Sequence, residues 1–313
     1  MSQGPSLRTT LGRILPLLVS GAVLVWLFRR TDPAALADAI DARVVAVLLP
    51  SLLVYGFGSL AIDAISIRRL VPPGPAPLSL WTAARLKCAS YLLGIFHYAL
   101  GAASLTVLLR RRTSLSLTGA GSVVLLIALT DLLVVLASAS VAIVAGTQLQ
   151  LGPQVGVIFA ALGACATGIF VLRWPGSLGP LDRLRELAIF DGLRNIPLAR
   201  LGELLVLRCL FCTGFVAICV AAFVAFGISA PPVQMVAGFL IAALVAALPI
   251  AVAGLGTSQA AFLFLFEGIA SPERLLAMSL ALSFGLISMR VAMGIAFARE
   301  LTREAWRERD AAA

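Results

Sequence analysis

The chain is written in long apolar stretches separated by short polar ones. No charged residue falls from Ser114 to Thr130, Leu132 to Leu172, Cys209 to Phe266 or Leu275 to Met289. About 20 apolar residues in helical form already cross a bilayer. The 58 residues from Cys209 to Phe266 must therefore fold back on themselves. Strand-type alternation is absent, and lipid admits only helices or closed barrels. The pattern predicts an all-α, polytopic integral membrane protein, one membrane domain over residues 1–313, with eight spans at about 12–28, 44–65, 117–146, 153–172, 205–228, 233–250, 258–272 and 275–298. Residues 78–109 stand apart: Arg85, Lys87, His97, Gly94 and Gly101 make the segment too polar for lipid and too apolar for a solvated loop. It is expected to be a broken or re-entrant hairpin, a form tolerated only when buried in protein or lining a wet cavity.

Composition agrees with this reading and narrows it. The chain is 60% hydrophobic and only 12% charged, with a mean hydropathy of +1.03, whereas soluble domains carry about a quarter charged residues. A net charge of +9 would suggest nucleic acid on a soluble chain, but only Lys87 of the 24 basic residues is lysine and the arginines gather at the ends of apolar runs. That is how a membrane protein sets its orientation, so no nucleic-acid partner is expected. With the N-terminus inside, seventeen arginines fall on the inner side against Arg29, Arg30, Arg43 and Arg274 outside. An even number of spans with both termini cytoplasmic follows, in a bacterial inner membrane. The stretch Ile14 to Phe28, closed by Arg29 and Arg30 with no small-residue cleavage site, reads as an uncleaved anchor. The loop 173–204 interleaves arginines with leucines, as a short amphipathic helix on the inner leaflet or a solvated loop would, and 299–313 reads as a cytoplasmic tail fraying at its end. Cys209 and Cys212 are spaced like a redox or metal pair, but with one histidine in the chain they read as packing residues. No metal or cofactor is expected.

Four features within the apolar phase carry candidate chemistry. Asp131 lies in mid-run and Arg290 midway through the last span, where a charge costs several kcal/mol. They pair with each other structurally, or they line a substrate path. Third, Pro249, Gly254 and Gly256 break the helix ahead of Ser258 and Gln259, leaving amides at the start of a half-helix where an anion or polar head group can be held. Fourth, the hairpin with His97 and Gly101 runs into Arg110, Arg111 and Arg112. One glycine-bearing break in each half of the chain suggests inverted repeats around a common site. No phosphate-binding loop, zinc-protease motif, nucleophile elbow or close pair of acids is present. The chain is accordingly expected not to be an enzyme.

The run Pro249-x-x-x-Ala253-Gly254-Leu255-Gly256-Thr257-Ser258-Gln259 resembles the late Pro-x-x-x-Gly-Gly-x-Gly-x-x-Glu motif of the lysylphosphatidylglycerol synthase transmembrane family, also called flippase-like integral membrane proteins. Leu108-Leu109-Arg110-Arg111, Asp131 and Arg290 resemble further family positions in the right order, over about residues 80–300. The chain departs at His97-Tyr98, Gly101-Ala102, Ala128-Leu129 and Gln259, where members carry other, partly ionisable residues. The resemblance implies a protein that binds and moves a lipid or polyprenyl-linked head group between leaflets, sometimes beside a lipid-modifying enzyme. The expected function is a lipid transporter whose substrate, a membrane lipid with an anionic head group, meets His97, Gly101, Arg110, Arg111, Asp131, Pro249, Gly254, Gly256, Ser258, Gln259 and Arg290. Two alternatives stay open: a non-catalytic subunit of a lipid- or glycan-modifying complex, and a membrane-embedded lipid transferase.

Overall fold

The computed structural model describes residues 39–72, 78–95, 97–145, 154–176, 182–247 and 255–312, with isolated positions between them. Among these residues every regular element is a helix. Helix α1 spans Ala42–Leu70, α2 Leu80–Gly94, α3 Tyr98–Arg112, α4 Leu117–Val144 and α5 Gln154–Arg173. Three short turns, Asp182–Arg185, Ala188–Phe190 and Asp191–Asn195, lead to α6 at Leu198–Ala225. Then come α7 at Pro232–Ala247, α8 at Thr257–Leu265 and α9 at Pro272–Ala312.

Side-chain caps fix where several of these helices begin. Asp41 Oδ1 accepts from the Val44 amide at 2.8 Å, Ser79 Oγ from Thr82 at 3.0 Å and Ser116 Oγ from Gly119 at 3.0 Å. Each satisfies an amide that the first turn leaves open. Arg68 and Arg69 close α1, and Arg110 to Arg112 close α3, where the helix dipole favours cations.

Five helices are long and apolar enough to cross a membrane: α1, α4, α5, α6 and the stretch Pro272–Phe297 of α9. The chain is thus an all-α, multi-pass membrane protein. The expected span at 12–28 lies outside the described residues. The span expected at 233–250 falls on α7, whose described part has 16 residues, with 248–250 outside the described residues. The span expected at 258–272 needs correction: it becomes the nine-residue α8, at 1.5 Å per residue only about 14 Å long. A helix of that length cannot cross about 30 Å of hydrocarbon. Instead α8 folds back along α7, with the Phe239 and Phe266 rings 5.5 Å apart and Phe223 4.8 Å from Phe239. Helix α8 stops at Leu265, and just beyond it Gly268 takes φ +81°, a conformation that suits glycine. Within 78–109, α2 and α3 have 15 residues each, about 22 Å, and pack against each other.

The helices fall into two units of like order. The first is α1, the α2–α3 hairpin and α4; the second is α6, the α7–α8 hairpin and α9. Their contacts correspond: α1 lies along α6, α9 packs on α2 as α4 packs on α7, and α3 packs on α4 as α8 packs on α9. Helix α5 joins the units and packs on α4 and on the turn Asp191–Asn195. That turn is tied down by the Gly192 amide, which donates to Ser122 Oγ at 2.7 Å, and by Arg173, which donates to the carbonyls of Leu193 and Ile196 at 3.0 and 3.1 Å.

The close approach of α2 and α3 depends on small residues. A Cβ on buried Gly101 would meet Gly94 Cα at 2.8 Å and its amide nitrogen at 3.2 Å, backbone atoms that cannot swing aside. Gly101→Val is therefore expected to cost ~1–3 kcal/mol by overpacking and to lower the unfolding temperature of the detergent-purified protein. Gly163→Val, at a helix position with open space around it, serves as the control and should leave that temperature nearly unchanged.

Candidate functional site

The interior of the first unit meets the second through ionised side chains. Arg208 enters from α6 with its side chain fully buried. Its Nη1 donates to Asp63 Oδ1 of α1 at 2.8 Å, and its Nη2 donates to Ser66 Oγ at 2.6 Å and to the Ile62 carbonyl at 3.3 Å. The second oxygen of Asp63 faces Lys87 Nζ of α2 at 3.0 Å. On the other side, Asp131 of α4 stands 3.4 and 3.5 Å from Arg208 Nη1. The Phe211 ring lies 5.3 Å from the guanidinium carbon.

Two cations and two carboxylates thus cancel within one cluster drawn from four helices. In a medium without water each charge alone would cost several kcal/mol, and only the mutual pairing makes their burial tolerable. The cluster is graded in exposure. The Asp63 side chain is 6% exposed and that of Asp131 33%. Asp131 also makes the longer contacts, so its end of the cluster is the more easily exchanged.

Of the two readings open for Asp131 and Arg290, a mutual pair or a substrate path, the structure does not show the pair: Asp131 meets Arg208 instead. Helix α6 passes beside α4 and brings Arg208 to Asp131, whereas α9 places Arg290 over the Tyr91 ring of α2, 5.8 Å from its centroid. Lys87 Nζ lies 5.7 Å from the same ring, so Tyr91 is shared by the cluster and Arg290. Reading Arg208 as one of the inner-side arginines missed its burial. The signal was present: Leu205-Val206-Leu207 precede Arg208 and Cys209-Leu210-Phe211 follow it, and Asp63 is likewise set between Ala61-Ile62 and Ala64-Ile65.

A second polar knot holds the start of α8. Gly256 adopts φ +89°, a left-handed conformation that suits glycine, and its amide donates to Gln259 Oε1 at 2.6 Å. Ser258 Oγ stands 3.2 Å from the same oxygen. Gln259, fully buried, donates through Nε2 to Ser283 Oγ at 3.1 Å and the Ser279 carbonyl at 3.4 Å. The amide thereby both accepts from its own turn and donates to α9. A carboxylate here could not donate, which gives Gln259 a structural reason to be neutral.

The remaining expected residues are spread along the α2–α3 hairpin. His97 caps α3, its Nδ1 accepting from the Ala99 amide at 3.1 Å. Gly101 is buried against α2, while Arg110 and Arg111 are exposed at the far end of α3. The structure brings together Gly256, Ser258 and Gln259, and it places Asp131 apart from them with Arg208. Pro249 and Gly254 lie outside the described residues. Among the described residues no three acidic, histidine or cysteine side chains converge to hold a metal ion, and the five cysteines are unpaired.

The model of the lysylphosphatidylglycerol synthase TM region matches residues 13–294. The chain belongs to that family. None of the curated proteins compared with it matches. Membership makes the chain a multi-pass membrane protein related to lipid biology, and the matched region contains both polar assemblies. As a lysylphosphatidylglycerol synthase TM-region protein, the chain keeps ionised groups inside its lipid-embedded part.

Removing one partner of such a cluster strands the others. Arg208→Ala removes the donor to Ser66 and Asp131 and leaves Asp63 with Lys87 alone; it is expected to cost ~3–5 kcal/mol, read as a fall in resistance to unfolding in detergent. Asp131→Asn, at the more exposed end, should cost clearly less. Equal losses from the two variants would mean that exposure does not grade the cluster.

Proposed function

We propose that the protein is a flippase-like transporter, which binds a membrane lipid with an anionic head group and moves it between the leaflets of a bacterial inner membrane. The observation that carries this reading is the neutral set Asp63, Lys87, Arg208 and Asp131, lying where the two units meet. Ionised groups inside a membrane domain are costly, and their usual place is on a substrate or ion path. Helix α5 supplies one crossing between the units, so the second stands inverted in the bilayer relative to the first, and each unit contributes one short-helix hairpin facing one leaflet. With the expected span at 12–28 added to the five described ones, both termini are cytoplasmic.

A charged head group passes through such a domain by exchanging ion pairs one at a time. The Arg208 to Asp131 contact, the longest in the cluster, opens first, and Arg208 stays held by Asp63 and Ser66. Arg110 and Arg111, exposed where α3 ends, attract anionic lipid at the membrane surface. His97 and Gly101 keep the first hairpin closed. Gly256, Ser258 and Gln259, at the start of α8, receive the head group in the second unit, and Pro249 and Gly254 are proposed to contact it there.

The test is movement of a fluorescent phospholipid across vesicles containing the full chain, read by quenching of outer-leaflet fluorescence. The wild type should equilibrate the leaflets faster than protein-free vesicles. Asp131→Ala, with folding verified, should slow the movement roughly tenfold, the rate equivalent of about 1.4 kcal/mol at the barrier. Equilibration no faster than in protein-free vesicles would contradict the proposal.

A further inference from the structure

Among the described residues Arg290 is a cation with no carboxylate partner. Its side chain is exposed on α9, on the stretch Pro272–Phe297 that is apolar enough to cross the membrane, and its recorded partner among the described residues is the face of Tyr91. The helices around it hold no acid to spare. Helix α2 has none. Helix α1 has Asp63 alone, already held by Lys87 and Arg208. The Glu203 of α6 sits with Arg200 at 2.9 Å. On α9 itself the nearest acids in sequence are Glu273 and Glu300, about 25 and 15 Å along the axis at 1.5 Å per residue. A guanidinium is always charged, and in hydrocarbon that charge calls for an anion from outside the chain.

The surroundings say what kind. Arg290 lines a narrow cleft with Tyr55, Ser59, Tyr91, Met289 and Met293. The cleft holds ≈ 10 Å³, at or below the space of one water, so a head group cannot enter it and meets Arg290 at its mouth. Stacking on Tyr91 fixes the plane of the guanidinium. A planar guanidinium presents two parallel donors that match two oxygens of a phosphate. The helices that form the cleft carry exposed apolar side chains, Phe57 on α1 and Phe284 on α9, a setting for acyl chains.

We infer that Arg290, its plane set by Tyr91, binds the phosphate of a phospholipid head group at the mouth of the α1–α2–α9 cleft. The inference rests on the lipid reading above and gives its substrate class: a phosphate ester, recognised before the buried cluster is reached. Tyr91 is common to this docking point and to Lys87.

Binding and movement are measured apart, so that one can fail without the other. The full chain, purified in detergent, is offered phosphatidylglycerol and, separately, digalactosyldiacylglycerol, which has no phosphate, and retained lipid is counted by native mass spectrometry. The wild type should retain the phospholipid roughly tenfold better, the affinity equivalent of one charge-assisted contact. Arg290→Gln should bring the two lipids to parity, and Arg290→Lys should keep part of the preference. Unfolding temperatures like that of the wild type verify that both variants are folded. An unchanged preference in Arg290→Gln overturns the inference, whatever the vesicle assay shows. Loss of preference together with a wild type that moves no lipid upholds the phosphate site and removes the transport reading. Added inorganic phosphate tests the source: retention that persists supports a lipid phosphate, whereas full displacement would assign the site to free anions and overturn its assignment to a lipid.

Discussion

The architecture depends on one constraint: Arg208 carries a permanent charge into a place without water. No rearrangement that leaves this guanidinium unpaired is affordable in an apolar phase. Its donors fix the relative positions of α1, which supplies Asp63, Ser66 and the Ile62 carbonyl, and of α4, which supplies Asp131. Through the second oxygen of Asp63 the constraint reaches Lys87 on α2. Helix packing alone lacks this specificity, because lipid tails compete equally well for apolar side chains.

The hairpins follow a complementary logic. A chain that turns back inside the bilayer must satisfy its own backbone. It does so here with a His97 cap at one turn and with the Gly256 and Gln259 pair at the other. Gly101 against Gly94 allows the first hairpin to close, while the second is held by stacked phenylalanines, Phe239, Phe262 and Phe266. The two halves thus solve one problem with different chemistry.

Much of the fold was legible because its signals are local. Apolar runs of membrane length marked α1, α4, α5, α6 and α9, and the polar residues of 78–109 marked a segment unlike its neighbours. The end of the apolar pattern was less legible. The apolar run continues only to Phe266, and the helix over it, Thr257–Leu265, stops there, ahead of Glu267 and of Gly268 at φ +81°. Pairing was the least legible feature. Asp131 and Arg290 stood out individually as charges in apolar runs, but which cation meets Asp131 depends on how α6 and α9 pack, and no spacing along the chain records that. Arg208 was hidden by its nearness to Arg200 and Glu203, which made it look like one more surface residue.

The most direct test of this account is a double-mutant cycle between Asp63 and Arg208, with Asp63→Asn, Arg208→Gln and the double variant compared by equilibrium unfolding in detergent. If the buried pair governs the meeting of α1 and α6, each single change should be severe, and the double variant should lose much less than their sum, with a coupling of ~1–3 kcal/mol. Additive losses would show that the two groups act independently, and would contradict the claim that this cluster holds the units together.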